Sequence, residues 1–274
     1  MPKNLKKILI ALLTIYLGGF AYLIAFQRHY LYHPNHEYVS PESLDLGIAF
    51  KEFPARTQDG IDLKGWYMPA TTKPLTIVFF HGNADHLSNA APVAKSYIAA
   101  GYGFLVTEYR GFSGMAGRPT EDGFYDDART FINKLIADGI KPQNIVLMGH
   151  SLGSGVATQM ASEFPVGGLI LVAPFTSIPD MAQLQYPYYP ARYFVWDRFD
   201  NAAKIADLPM PILIVNGDKD DLVPITHGQH LFDLAHAPKQ YHLFPDRDHS
   251  DILNSEFYDL NLKWLDQLQN NLLK

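Results

Sequence analysis

The longest apolar stretch lies near the start: Ile8–Phe26, nineteen positions without a charge (ILIALLTIYLGGFAYLIAF). A helix of that length rises about 28 Å, close to the hydrocarbon thickness of a bilayer. Lys3, Lys6 and Lys7 precede the run, and Arg28 and His29 follow it. Tyr16, Tyr22 and Tyr30 fall near its ends or just beyond. With nothing polar to make a wet face, the pattern predicts one transmembrane helix in a segment 1–30 rather than a buried core helix. The three lysines predict a cytoplasmic amino terminus and a remainder beyond the membrane, in the periplasm if the source is bacterial. A cleaved signal peptide is the competing reading. Against it, the run exceeds a usual h-region and no small-x-small site precedes Gln27.

From about Leu46 the pattern changes to short apolar, β-branched runs alternating with stretches of helical period. It predicts strands at Ile48–Ala55, Ile61–Met68, Leu75–Phe80, Gly103–Glu108, Asn144–Met148, Gly168–Val172, Ile212–Val215 and Gln240–Phe244. It predicts helices near Ser88–Ala100, Thr120–Asp138, Leu152–Glu163, Thr226–Leu234 and Asp251–Gln269. The first two strands alternate around the turn Gln58-Asp59-Gly60, as an antiparallel pair does. Later runs (TIVFF, NIVLM, LILV, ILIV) are continuously apolar, as strands covered on both faces are. The expected architecture is α/β, with a mostly parallel, doubly wound sheet of eight strands in one unit, 31–274. One stretch breaks the rhythm. Residues 177–206, rich in Tyr and Pro (QYPYYPARYFVWDRF), read as a small inserted cap.

Composition narrows the function classes. At 47% hydrophobic and 18% charged, the 274 residues exclude a disordered chain, a collagen-like repeat and a coiled coil. Lys+Arg number 22 against 28 Asp+Glu, a formal charge of −6, so no nucleic-acid partner is expected. The absence of cysteine removes disulfides, thiolate metal sites, a cysteine nucleophile and cysteine-linked lipid anchors. No phosphate-binding or dinucleotide loop is present, and no cofactor is expected. His33 and His36 alone are weak spacing for a metal, so no metal is expected either.

The chemistry centres on Gly149-His150-Ser151-Leu152-Gly153. G-x-S-x-G between a strand and a helix is the pattern of a nucleophile elbow, which exposes the serine hydroxyl above the sheet edge. A serine needs a base, and the base an orienting carboxylate, in the chain order Ser, Asp or Glu, His. Five histidines follow Ser151: His227, His230, His236, His242 and His249. The first three fall within or at the end of a helical stretch, where surface solvation explains them, and His242 within a strand. His249 lies in the loop DRDHS at a carboxyl end of the sheet, where ligand-facing residues collect, and is the expected base. The spacing G-x-x-D-x-x-V-P selects Asp220 as the acid, with Asp218 as runner-up. Oxyanion donors are expected from the N–H of Leu152 and, in the loop His81-Gly82-Asn83-Ala84, the N–H of Asn83. His81 reads as a structural histidine of that loop, and Arg110 as a buried ion pair or loop clamp.

These residues resemble the α/β-hydrolase superfamily, specifically its Bem46-like, membrane-anchored branch and the related alpha/beta-hydrolase-domain acyl hydrolases. The resemblance is colinear from Gln27 almost to the carboxyl end. It runs through FQRHYLYHP, FFHGNA, EYRGFSG, GRPTEDG, GHSLG, APFTS, YP with WDRFD, NGDKDDLVP and the loop carrying His249. Two departures stand out. Asp85 and His86 follow HGNA where related sequences often have Gly and Asn, and Glu108 stands before YRG where Asp is common. The resemblance implies serine-dependent hydrolysis of an acyl bond without metal or cofactor.

The combined expectation is a membrane-anchored serine hydrolase of carboxylic esters or thioesters that works through an acyl-enzyme. Its partners are a lipid or an acylated small-molecule or protein substrate, and the membrane itself. Tyr186, Tyr188, Tyr189, Tyr193 and Trp196 of the cap are candidates for an acyl groove, though packing on the sheet explains them equally well. Two alternatives stay open: a serine peptidase of the same fold, and a non-catalytic binding protein that retains it.

Overall fold

The computed structural model describes residues 2–44, 47 and 49–272. The expected start of the first strand at Ile48, and the outer limits 1 and 274 of the two expected segments, lie outside the described residues. The chain begins in helix α1 (Lys3–Leu31), which buries none of its residues and is long and apolar enough to cross a membrane. Eight strands follow: β1 (Lys51–Arg56), β2 (Asp62–Met68), β3 (Thr76–Phe80), β4 (Gly103–Val106), β5 (Ile145–His150), β6 (Gly168–Val172), β7 (Ile212–Gly217) and β8 (Lys239–Phe244). They form one sheet in the order β1-β2-β4-β3-β5-β6-β7-β8. Pairings β1–β2 and β2–β4 are antiparallel and all others parallel.

The remaining helices are α2 (Leu87–Ala90), α3 (Ala94–Ala99), α4 (Glu121–Ala137), α5 (Leu152–Glu163), α6 (Ile178–Gln185), α7 (Ala202–Ile205), α8 (Ile225–Leu234) and α9 (Ser255–Leu272). Side chains along a strand alternate between faces, so β3 feeds two cores. Val78 and Phe80 join Phe131 of α4, Val156 of α5 and Leu231 of α8 on one face. Ile77 and Phe79 join Tyr97 of α3 and Trp264 of α9 on the other. Every residue of β3, β5, β6 and β7 is buried, which is why these runs are continuously apolar.

Two expected helices differ. The segment Ser88–Ala100 is broken into α2, a 3-10 turn at Ala91–Val93 and α3, because Pro92 has no N–H to continue the ladder. The last helix starts at Ser255 rather than Asp251. The Asp248 carboxylate takes the N–H groups of Ser250 (2.7 Å) and Asp251 (3.0 Å) in a turn that precedes it. Between β6 and β7, residues 177–206 hold α6, a 3-10 turn at Ala191–Tyr193 and α7. The Ser177 hydroxyl caps α6 by accepting the Asp180 N–H at 3.1 Å.

Candidate active site

Ser151 joins β5 to α5 with φ 52° and ψ −118°, a conformation L-residues rarely adopt. Its N–H is held by the Val172 carbonyl at 2.9 Å. The flanking glycines are steric necessities. A Cβ at Gly149 would lie 2.3 Å from the Gly153 carbonyl oxygen, and one at Gly153 would lie 2.0 Å from that of Phe80. The turn is therefore pressed against the neighbouring strand, and its serine stands at the carboxyl end of the sheet.

The same sheet edge carries the two other expected residues. His249 Nδ1 and Asp220 Oδ2 are 2.7 Å apart, with the Asp220 side chain fully buried and that of His249 15% exposed. Asp220 Oδ1 accepts the N–H groups of Leu222 (3.0 Å) and Val223 (2.8 Å), which fixes the carboxylate before α8 begins. Nδ1 of His249 thus faces the Asp220 carboxylate, and its other ring nitrogen, Nε2, has no hydrogen-bond partner among the described residues. Asp218, the runner-up, instead accepts the N–H of Asp246 at 2.7 Å and so shapes the loop that carries His249. Among the described residues the Ser151 hydroxyl makes no hydrogen bond to His249; such contacts often tighten only with substrate bound.

Ser151, Leu152 and Asn83 all face one cavity of about 620 Å³. Among the described residues, neither the Asn83 nor the Leu152 N–H finds an acceptor. Leu152 opens α5, where the first N–H groups have no partner within the helix. The Asn83 side chain is occupied elsewhere: its Oδ1 accepts the His33 N–H at 3.1 Å and its Nδ2 lies 3.0 Å from His33 Nδ1. His33 thus belongs to the cavity wall, a placement its position in the sequence does not suggest.

His150, the variable residue of the elbow, is a further site residue that sequence reasoning missed. Its ring lies 5.2 Å from that of His249, and its Nε2 donates to the His249 carbonyl at 3.2 Å. Burial first, and then the neighbouring His249, push its pKa down to about 4, so it is neutral near pH 7. His81 is the opposite case. Its ring nitrogens face only acceptors, the Gly82 carbonyl at 2.8 Å and Glu108 Oε1 at 2.7 Å. Burial opposes its charge, but Glu108 prevails and raises its pKa above the ordinary value. His81 and Glu108, with the N–H of Leu87 (3.2 Å) on the same carboxylate, order the Asn83 loop. Arg110 is a clamp: its Nε donates to Asp127 at 2.9 Å and its Nη1 to Asp59 at 2.8 Å.

The cap corrects two expectations. Tyr186 and Tyr189 line the cavity, but Tyr188, Tyr193 and Trp196 do not and instead point outward. His227, expected on a solvated helix face, is half-buried and lies 2.9 Å from the Thr176 hydroxyl under the cap.

A family model described as serine aminopeptidase, S33 matches residues 72–195. An uncharacterised protein of Mycobacterium tuberculosis is 33% identical over 237 residues, 85% of this chain and 84% of that protein. Protein bem46 of Schizosaccharomyces pombe is 29% identical over 265 residues, 90% of this chain and 88% of that one. Among solved structures, an esterase of Pyrococcus furiosus superposes with a TM-score of 0.70 at 16% identity, over 87% of this chain and 97% of its own. That last likeness is one of fold.

Proposed function

Because this chain belongs to the Bem46-like α/β-hydrolases, we propose that it is a membrane-anchored serine hydrolase that cleaves carboxylic ester or thioester bonds. The observation that carries the reading is the Asp220–His249 hydrogen bond at the sheet edge that holds the elbow serine, with Asn83 and Leu152, whose N–H groups find no acceptor among the described residues, lining the cavity at Ser151. His249 Nε2 takes the proton of Ser151 Oγ as Oγ attacks the acyl carbonyl carbon. Asp220 accepts from Nδ1 and stabilises the imidazolium that forms. The Asn83 and Leu152 N–H groups receive the carbonyl oxygen as it becomes an oxyanion. When the bond to the leaving group breaks, His249 returns the proton to the departing alcohol or thiol. Water then attacks the acyl-enzyme by the reverse proton path and frees the acid and the serine.

In this reading α1 crosses the membrane with Lys3, Lys6 and Lys7 on the cytoplasmic side. A second reading, a peptidase of the same fold, is favoured by the description of the family model over residues 72–195. Competitive labelling of the full chain with a fluorophosphonate probe tests both. Wild type is expected to label and Ser151→Ala to lose the label, with esters or thioesters competing better than aminoacyl amides. Equal labelling of the two proteins would sink the Ser151 assignment. Competition by amides alone would move the peptidase reading to the front, and no label on folded wild type would favour a binding protein.

A further inference from the structure

The cavity over Ser151 is not closed by the hydrolase unit alone. Phe20, Leu23, Ile24, Gln27 and Leu31 recur on one face of α1 and form one of its walls, opposite Ile178 and Met181 of α6. Three of these five, Phe20, Leu23 and Ile24, lie inside the uncharged run Ile8–Phe26. Among the described residues no lysine or arginine lines the cavity, so it suits the apolar part of a substrate rather than an anionic headgroup.

The cap is fastened along the same helix. At the polar end, Arg28 meets Asp197 through two hydrogen bonds of 2.6 and 2.9 Å, and Gln27 Oε1 accepts the Trp196 N–H at 2.8 Å. Deeper in the run, Tyr189 stacks on Tyr16 (4.7 Å) and Phe20 (5.0 Å), and the Tyr16 hydroxyl donates to the Tyr188 carbonyl at 2.7 Å. A Cβ at Gly19 would lie 2.9 Å from the Tyr189 hydroxyl, so the contact is close. From Arg28 to Tyr16 the helix descends about 18 Å at ~1.5 Å per residue. The cap therefore follows α1 well into the stretch that crosses the membrane. Its tip presents Tyr188 (87% exposed) and Tyr193 (77%), aromatic surface of the kind found where protein meets lipid.

We propose that α1 is the acyl-binding wall of this protein as well as its anchor. The acyl chain of a bilayer-resident amphiphile enters between α1 and α6 at the level of Phe20 and runs past Leu23 and Ile24 to bring its carbonyl to Ser151. The proposal rests on the hydrolase reading of Ser151 and the membrane placement of α1. It differs from a plain anchor in one respect: bulk on the cavity face of α1 must discriminate between chain lengths.

The test uses the full chain in phosphatidylcholine nanodiscs with p-nitrophenyl butyrate and p-nitrophenyl palmitate. Leu23→Trp and Ile24→Phe fill the cavity from its α1 side. Ile15→Trp adds bulk to the same run at a side chain 71% exposed and outside the cavity. In Leu23→Trp and Ile24→Phe the ratio of palmitate to butyrate kcat/KM is expected to fall at least tenfold. Ile15→Trp is expected to leave the ratio unchanged. A ratio within twofold of wild type in both cavity variants, or an equal fall in Ile15→Trp, overturns the wall. Wild type that cleaves neither ester and takes no probe overturns the hydrolase reading, and the wall with it.

Discussion

Two buried histidines within the same loop cluster respond to protons in opposite senses. His150, held at a pKa of about 4, binds a proton in the unfolded chain before it does in the folded one. Its contribution to stability is therefore complete above pH 6.5 and is lost as pH falls from about 6.5 toward 4. His81 has a folded pKa raised above 6.5, so its contribution is complete below pH 6.5 and is lost as pH rises through the raised value. Thermal melts from pH 4.5 to 9 are expected to peak near pH 6.5, with the acid limb falling by a few degrees, since each pKa unit is worth about 1.4 kcal/mol. His150→Gln, which keeps a donor but does not titrate, should flatten the acid limb alone; an unchanged limb would place its cause elsewhere. Ser151, Asp220 and His249 were legible because each announces itself locally: glycines around a turn, an acid after a strand, a histidine in the next loop. His150 and His33 were not, because their roles depend on carbonyls and amides contributed by distant loops.

At the scale of elements, Asp197 ties three together. Its carboxylate, 5% exposed, holds Arg28 of α1 and also accepts the Glu121 N–H at 3.2 Å, at the first turn of α4. Asp197→Ala orphans both donors, whereas Arg28→Ala removes one partner that is 43% exposed. With hydrogen bonds to charged groups worth about 1.5–3 kcal/mol, Asp197→Ala is expected to lower Tm by several degrees and to open the stretch 186–196 to limited proteolysis. Arg28→Ala should do less of both; the reverse ranking would mean that the cap is held by its aromatic contacts alone. The strands were legible as apolar runs, and the main misreading, a single helix over 88–100, fails at Pro92. Apolar periodicity carries no record of what an apolar face will meet, so the docking of the cap along α1 could not be read from it.

For the whole molecule, charge bias and cavity geometry make linked demands on placement. Lys3, Lys6 and Lys7 stand at one end of α1, and Gln27 and Arg28, which hold the cap, at the other. If the lysine end is cytoplasmic, everything after α1 lies across the membrane. Alkaline phosphatase fused after the carboxyl end is then expected to be active in a bacterial host, and β-galactosidase at the same point inactive. The opposite pair of activities would reverse the orientation while leaving the cavity as described. The eight-stranded architecture was legible from runs and turns, whereas the cavity that joins α1 to the elbow serine takes shape only when helix, cap and sheet are assembled.

The hydrogen bond from Tyr16 to Tyr188 joins positions 172 residues apart, and this separation bears on the order of folding. Loop closure over such a distance is entropically disfavoured until the intervening sheet exists to shorten it. The helix leaves the ribosome well before the cap and most of the sheet, the surfaces that complete its inner face. Closure of the cap on α1 is therefore expected to follow strand pairing rather than precede it. The last contact to form is then one between two elements that lie far apart in the chain and close together at the cavity wall.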